Sequence, residues 1–242
     1  MESLGNFPDP FLAEIVSQPD AIRRAATAMA EQADVVGHVH EAAADRTLVF
    51  TGMGSSYDAC YPIVNDLARR GALALLVDSA ELLHFRRRVL TETTLVVIVS
   101  QSGESAEIVR LATEIGQLPA PPPVVSITNG SDNALARRAD LRLDTHAGPE
   151  IGPSTKTFVA SLTMLGGLAR VLDGIDVDAA ADHLVASADE AAHAAERLLD
   201  DPVTLATRLA QHLRGRDDIF LLGRGPARAA AEMGALTMKE SG

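Results

Sequence analysis

Three hydroxyl-rich segments are the parts of this chain best equipped for chemistry. Gly52-Met53-Gly54-Ser55-Ser56 and Ser100-Gln101-Ser102-Gly103-Glu104-Ser105 each close an apolar, strand-like run and stand just ahead of a helical one. Ser154-Thr155-Lys156 stands before a third helical segment. Hydroxyls beside the unpaired N–H groups of a helix start suit an oxyanion, phosphate above all, because the helix dipole and the free donors both favour negative charge. The bland alternative is that each serine or threonine caps its helix and binds nothing. Three such segments in one chain favour a ligand.

A dinucleotide is the rival ligand. Gly52-x-Gly54, with Asp78 at the end of the next strand, follows the layout in which an acid meets a ribose. The third glycine of that fingerprint falls at Tyr57, where a side chain obstructs close helix packing. The segment Ser100–Ser105 is also left without a purpose.

The elements that must position these segments are legible in the apolar rhythm. Thr47–Phe50, Ala72–Val77, Thr94–Val99, Val124–Ile127 and Leu141–Leu143 read as strands. Between them, Tyr57–Arg70 (with Pro62 inside), Ser79–Phe85, Ala106–Ile115 and Asn133–Ala139 read as helical. Apolar strands alternating with helices predict a parallel α/β sheet. Pro19–Asp45 ahead of the sheet, and Lys156–Asp173 and Val177–Leu199 behind it, have helical spacing. Leu198–Pro202 reads as a linker, since Pro202 blocks helix continuation. Val203–Leu213 then reads as a helix, Asp218–Leu222 as a strand, and Gly223-Arg224-Gly225-Pro226 leads into a last helix. That closing stretch repeats the strand, Gly-x-Gly, helix order of Thr47–Tyr57. It predicts the opening of a second, similar domain that Gly242 cuts short.

The chain has 242 residues with 33 acidic and 21 basic side chains, a net charge of −12, and 47% hydrophobic content. These values fit a globular chain with a sizeable core. With 3% aromatics and no Trp, that core must be aliphatic. The acidic balance argues against nucleic acid or an anionic membrane as partner. Met1–Pro10 lacks the pattern of a secretory leader, and no apolar stretch is long enough to span a bilayer. A single cysteine, Cys60, excludes an internal disulfide and is compatible with the cytoplasm. It reads as a small buried apolar residue. His38 and His40 fall on different faces of a helix, so no metal is expected there. Arg86-Arg87-Arg88 reads as solvated surface and Pro119–Pro123 as a stiff loop. Gly166-Gly167 inside a helix points to close packing.

Taken together, the motifs resemble the sugar-isomerase (SIS) domains, in particular the isomerase half of glucosamine-6-phosphate synthase and its stand-alone relatives. The resemblance runs from Glu14-Ile15-x-x-Gln18-Pro19 through Gly52–Tyr57, Ser79-Ala80-Glu81, Ser100–Ser105 and Glu150–Lys156 to Gly223-Arg224-Gly225 and Gly234–Glu240. It implies a three-layer, flavodoxin-like fold with a five-stranded parallel sheet in a tandem arrangement. The implied division is a helical segment at 1–45, a first SIS domain at 46–198 and the start of a second at 199–242. By the resemblance, Ser56, Ser100, Gln101, Ser102 and Ser105 hold a substrate phosphate, Ser55 and Ser154 touch the sugar, and Glu240 moves a proton between C1 and C2. It also implies a hexose or hexosamine 6-phosphate as ligand, a homodimer, and no metal or organic cofactor.

The sequence departs from the family pattern in places. Ser55 and Ser105 replace threonines, the third motif is one residue shorter at Pro153-Ser154, and Thr237 stands where the synthase has a lysine. The family's ring-opening histidine and C-terminal lysine would fall beyond Gly242. With Met1 and no N-terminal cysteine, the family's glutamine-dependent amination is not expected of this chain. Isomerisation, ammonia-dependent amination and removal of an amine from an amino-sugar phosphate remain. The alternative is a regulatory SIS protein that binds sugar phosphate without converting it.

Overall fold

The computed structural model describes residues 10–241; Met1–Asp9 and Gly242 lie outside the described residues. Strands β1 (Thr47–Gly52), β2 (Ala74–Asp78), β3 (Thr94–Ser100), β4 (Val124–Thr128) and β5 (Leu141–Asp144) form one sheet in the order β2-β1-β3-β4-β5. Every neighbouring pair is parallel. The five apolar runs from Thr47 to Leu143 are therefore strands, and the predicted parallel α/β sheet is present.

Helices cover both faces. In front of the sheet in sequence come α1 (Pro10–Val16), α2 (Gln18–Glu31) and α3 (Ala33–Ala43). Between strands lie α4 (Ser55–Arg69), α5 (Ser79–His84) and α6 (Ala106–Gly116). After it come α7 (Lys156–Leu172), α8 (Val177–Leu199), α9 (Pro202–Leu213) and α10 (Ala227–Ser241). Because side chains alternate along a strand, the sheet feeds two cores. Leu48, Phe50, Leu95, Val97, Val99, Val125 and Ile127 pack with α2, α3, α4, α7 and α8. Val49, Val96, Ile98 and Val124 pack on the other side with α5 and α6. Helix α6 offers Ile108, Leu111, Ala112 and Ile115, the i, i+3, i+4, i+7 stripe of an amphipathic helix. The three layers follow from this two-sided burial.

Close packing at Gly167 brings α7 against α2 and α8: a Cβ there would run into the Met29 thioether and lie 2.7 Å from a Leu184 methyl. Its neighbour Gly166 faces open space.

The structure departs from the sequence reading in three places. Pro19–Asp45 is helical as its spacing predicts, but as two helices, α2 and α3, rather than an unbroken one. Gln32 interrupts it, because its amide donates to Ala28 O (2.7 Å) and Asp144 O (2.9 Å) and accepts from Asp144 N (2.8 Å). Asn133–Ala139 is reduced to a single tight turn, Ala136–Arg138. There Asn133 is held sideways, its amide donating to Thr128 Oγ1 and Gly130 O. Asp218–Leu222 is not a strand. Phe220 and Leu222 are 82% and 92% exposed, and among the described residues no strand lies alongside to complete a ladder.

Among the described residues no helix is long and apolar enough to cross a membrane. Nor do three or more His, Cys, Asp or Glu residues converge as a metal site.

Candidate phosphate-binding site

The strand order decides where a ligand can sit. From β1 the chain crosses to β2 on one side, then returns to lay β3 on the other. The connections leaving β1 and β3 diverge, and the crevice between their carboxyl ends is the topological switch point where open α/β sheets bind ligands. Thr51 is in register with Ile98, so the loops after Gly52 and Ser100 begin side by side. These are the two serine-rich segments.

The first loop turns tightly into α4. A Cβ on Gly52 would lie 2.8 Å from Ser56 C and 2.9 Å from Tyr57 N, so only glycine lets the first turn of α4 fold back over the strand. Gly54 precedes α4 with φ +52°, a conformation that glycine adopts at little cost. It has no side chain with which to cap the helix. The hydroxyls of Ser55 and Ser56 make no hydrogen bond among the described residues.

The second loop is shaped by its own serines and by the β4–β5 connection. Ser100, buried at the end of β3, accepts from Gly103 N (3.1 Å), and Ser102 accepts from Glu104 N (3.1 Å). Gly103 has φ +64°, and a Cβ there would overlap the Asn133 side chain. Gly103 O accepts from Leu135 N, Glu104 Oε1 from Ala134 N, and Gln101 O from Asn129 N. Ser105 occupies the cap position of α6 but makes no capping bond.

This pattern bears on the bland alternative. Asp78, Asp176 and Asp201 cap α5, α8 and α9 with their carboxylates. Helices α4 and α6, which start at the crevice, have no side-chain cap. Apart from Ser56 N, which donates to Met53 O at 3.1 Å, their first N–H groups and the Ser55, Ser56 and Ser105 hydroxyls are available to an anion. Asp78 accepts from Ala80 N and Glu81 N, so the acid that a ribose would need is engaged as a cap.

The third segment is organised differently. Glu150 Oε1 accepts from Thr155 N (2.8 Å), Thr155 Oγ1 (2.9 Å) and Thr157 N (3.2 Å), and Oε2 accepts from Thr157 Oγ1. An internal carboxylate thus fills the α7 helix start, and Ser154 is paired with Thr157 through their hydroxyls at 2.9 Å. The amide of Gln101 donates to Glu150 Oε2 at 3.1 Å, which ties the second loop to the third. From α1, the buried carboxylate of Glu14 accepts from Ile151 N (2.6 Å) and Gly152 N (3.2 Å). Glu14 and Glu150 both lie within quoted motifs, yet the sequence reading gives neither a role. The only signal was an acid followed closely by Thr155 and Thr157.

Helix α10 packs on α4. Leu236 lies 3.4 Å from where a Cβ on Gly54 would stand. Glu240 follows one turn later on the same helical face and is exposed. The Arg228 guanidinium stacks over the Tyr61 ring at 4.8 Å and bonds Glu232. Half-burial between these helices, reinforced by Glu232 and opposed by Arg228, pushes the Asp58 carboxyl up to about 6. Cys60 is fully buried, donates to Ser56 O, and has its thiol pushed up by burial.

The structure therefore brings Ser55, Ser56, Ser100, Ser102 and Ser105 to one crevice. It links Gln101 to the segment carrying Ser154 and leaves Glu240 on the helix that borders the first loop.

Comparison with known proteins agrees with that geometry. The chain is 32% identical to the glutamine–fructose-6-phosphate aminotransferase [isomerizing] of Thermococcus kodakarensis, over 99% of this chain and 40% of that protein. The Bacillus spizizenii enzyme of the same name is 29% identical over 98% of this chain and 40% of its own length. The chain thus spans about two fifths of these curated relatives. Among solved structures, a candidate phosphosugar isomerase from Silicibacter pomeroyi superposes with TM-score 0.72 at 27% identity, covering 95% of this chain and 68% of that one. The C-terminal domain of glucosamine-fructose-6-phosphate aminotransferase from Francisella tularensis gives TM-score 0.74 at 23% identity, over 98% and 68%. Residues 41–170, which hold the sheet and both switch-point loops, match the SIS domain model, and the chain belongs to the SIS domain family.

Proposed function

We propose that this chain binds a hexose or hexosamine 6-phosphate and carries out isomerase or amine-transfer chemistry at C1 and C2 of the open-chain sugar. The observation that carries the reading is the pair of helix starts without a side-chain cap at the β1/β3 crevice, where the Ser55, Ser56 and Ser105 hydroxyls have no partner among the described residues. Ser56, Ser100, Gln101, Ser102 and Ser105 grip the phosphate. Ser55 and Ser154 face the sugar. The phosphate does not react, so its binding energy is free to place the reacting carbons.

Shifting a proton between C1 and C2 needs a base beside both carbons and polar groups for the enediol oxygens. Glu240 is the base on this reading. Residues 46–198 form the phosphate-binding domain, and 199–242, the start of a second unit, brings the proton-transfer residue. The reading includes a homodimer working in the cytoplasm, without a metal or organic cofactor. It is supported by the family, by the relatives' names and by the geometry of α10 against the first loop.

The test is a thermal-shift titration with glucose, fructose, glucosamine and galactosamine 6-phosphates beside the unphosphorylated sugars. Stabilisation by the phosphorylated set alone supports the site, since ligand at about a hundred times its Kd adds about 2.7 kcal/mol. Deuterium exchange at C1 or C2 in heavy water then separates conversion from binding. Binding without exchange would favour the regulatory alternative.

A further inference from the structure

Lys156 is an unexplained cation at the start of α7, the helix that Gln101 reaches through Glu150. It is 8% exposed, makes no hydrogen bond, and lies within ion-pairing distance of no carboxylate among the described residues. Its neighbours Thr155 and Thr157 are both clamped to Glu150, yet Lys156 itself does not reach that carboxylate. It is the first residue of α7, where the helix dipole adds to the cost of a positive charge. A buried ammonium without a partner is expensive. Its nitrogen is not among the sealed, unpartnered buried atoms, so it still meets accessible space.

The composition sharpens the point. The chain has 21 basic residues, of which only Lys156 and Lys239 are lysines, the rest being arginine. All the ion pairs from lysine or arginine in the described residues use arginine. Lysine differs from arginine as a compact point charge on a flexible stem. A chain that meets its surface needs with arginine has kept a lysine at this buried position.

We propose that Lys156 supplies the counter-charge for the phosphate monoester of the ligand. The inference rests on the sugar-phosphate reading above. The Gln101 amide and the Glu150 carboxylate together link the second serine loop to the backbone N–H groups of Thr155 and Thr157, on either side of Lys156. The serine cradle offers neutral donors, and Lys156 adds the full charge that a dianion calls for.

Two measurements test it. The first compares the folded wild-type chain with Lys156→Met, by thermal melting without ligand and by calorimetric titration with inorganic phosphate, glucosamine 6-phosphate and glucosamine. Lys156→Met should melt no lower than wild type, because no ion pair is lost. It should bind both phosphorylated probes about tenfold or more weaker, as expected for loss of a charge-assisted bond. A variant with unchanged affinity would overturn this proposal alone. A wild-type chain that binds neither phosphorylated probe would overturn the sugar-phosphate reading and this proposal with it. The second measurement needs no variant at Lys156. Reductive 13C-methylation gives two lysine signals, assigned with Lys239→Arg. The Lys156 signal should move with inorganic phosphate and glucosamine 6-phosphate and stay still with glucosamine; an unmoved signal, in a chain that binds those probes, overturns the assignment.

Discussion

Glu150 accepts a hydrogen bond from the Gln101 side-chain amide across 49 positions of sequence, and that single bond fastens the second serine loop to the start of α7. The same carboxylate holds Thr155 and Thr157. Replacing it leaves several donors without an acceptor. Glu150→Ala should lose about 2–3 kcal/mol of stability in urea unfolding. Glu150→Gln, which keeps an acceptor oxygen, should lose less. Glu150→Ala should weaken sugar-phosphate binding, since Gln101 is released, and Glu150→Gln should weaken it less.

Ser105 and Asp176 occupy equivalent cap positions with opposite bonding. Asp176 accepts from Asp178 N and Ala179 N, whereas Ser105 caps nothing. Asp176→Ala should therefore cost about 1 kcal/mol and leave binding intact. Ser105→Ala should cost well under about 0.5 kcal/mol, as at an ordinary surface position, and should weaken binding. Paired melting and titration of the two variants checks this directly. A Ser105→Ala loss as large as that of Asp176→Ala would restore the capping explanation.

Gly103 combines a left-handed backbone with contact against Asn133. Gly103→Ala should cost on the order of 1–3 kcal/mol from backbone strain alone, and more from the overlap. The accompanying change should be loss of phosphate affinity, because Ser100, Ser102 and the α6 start are set by that turn. Binding that survives with native affinity would show that the second loop is not the grip.

Two adjacent glycines in α7 should respond in opposite directions. Gly167→Ala pushes a methyl group into Met29 and Leu184 and should destabilise by about 1–3 kcal/mol. Gly166→Ala meets nothing within 4 Å and should stabilise by about 0.5–1 kcal/mol through helix propensity. Denaturant midpoints suffice to see both.

Asp58 gives a pH signature to the packing of α10 on α4. Its folded-state value of about 6 lies above the ordinary 3.8. The folded chain therefore holds this proton more tightly than the unfolded chain. The corresponding stability is full below 3.8 and is lost as pH rises through about 6. Asp58→Asn removes the titration, so its stability relative to wild type should be greatest above pH 6 and shrink toward acid. The Glu232 repulsion and the Arg228 attraction act in opposite senses, so Glu232→Gln should lower the midpoint. A stability difference that does not change with pH would exclude Asp58 as the titrating group.

The sheet and its two loops were legible because their causes are local. A short apolar run bounded by turn residues marks a strand when a neighbouring strand is there to pair with it, and glycine with serine after it marks a turn into a helix. The break at Gln32 and the short turn at Asn133 were not legible, since each depends on a side chain reaching another part of the fold, Asp144 in one case and Thr128 in the other. Glu14 was opaque for the same reason, being bonded to Ile151 from the far end of the described chain. Asp218–Leu222 shows the converse error: its residues suit a strand, but a strand is made by its neighbour as much as by itself.

The pairing of Thr47 with Thr94 also sets a timetable for biogenesis. As the chain leaves a ribosome, β1 and β2 can meet early, with the first serine loop already attached to them. No crevice exists at that stage, because its other wall is β3. On the proposed reading, a nascent chain arrested before β3 emerges should carry half of the phosphate grip and bind nothing, and ligand capture should mark the moment at which the middle of the sheet closes.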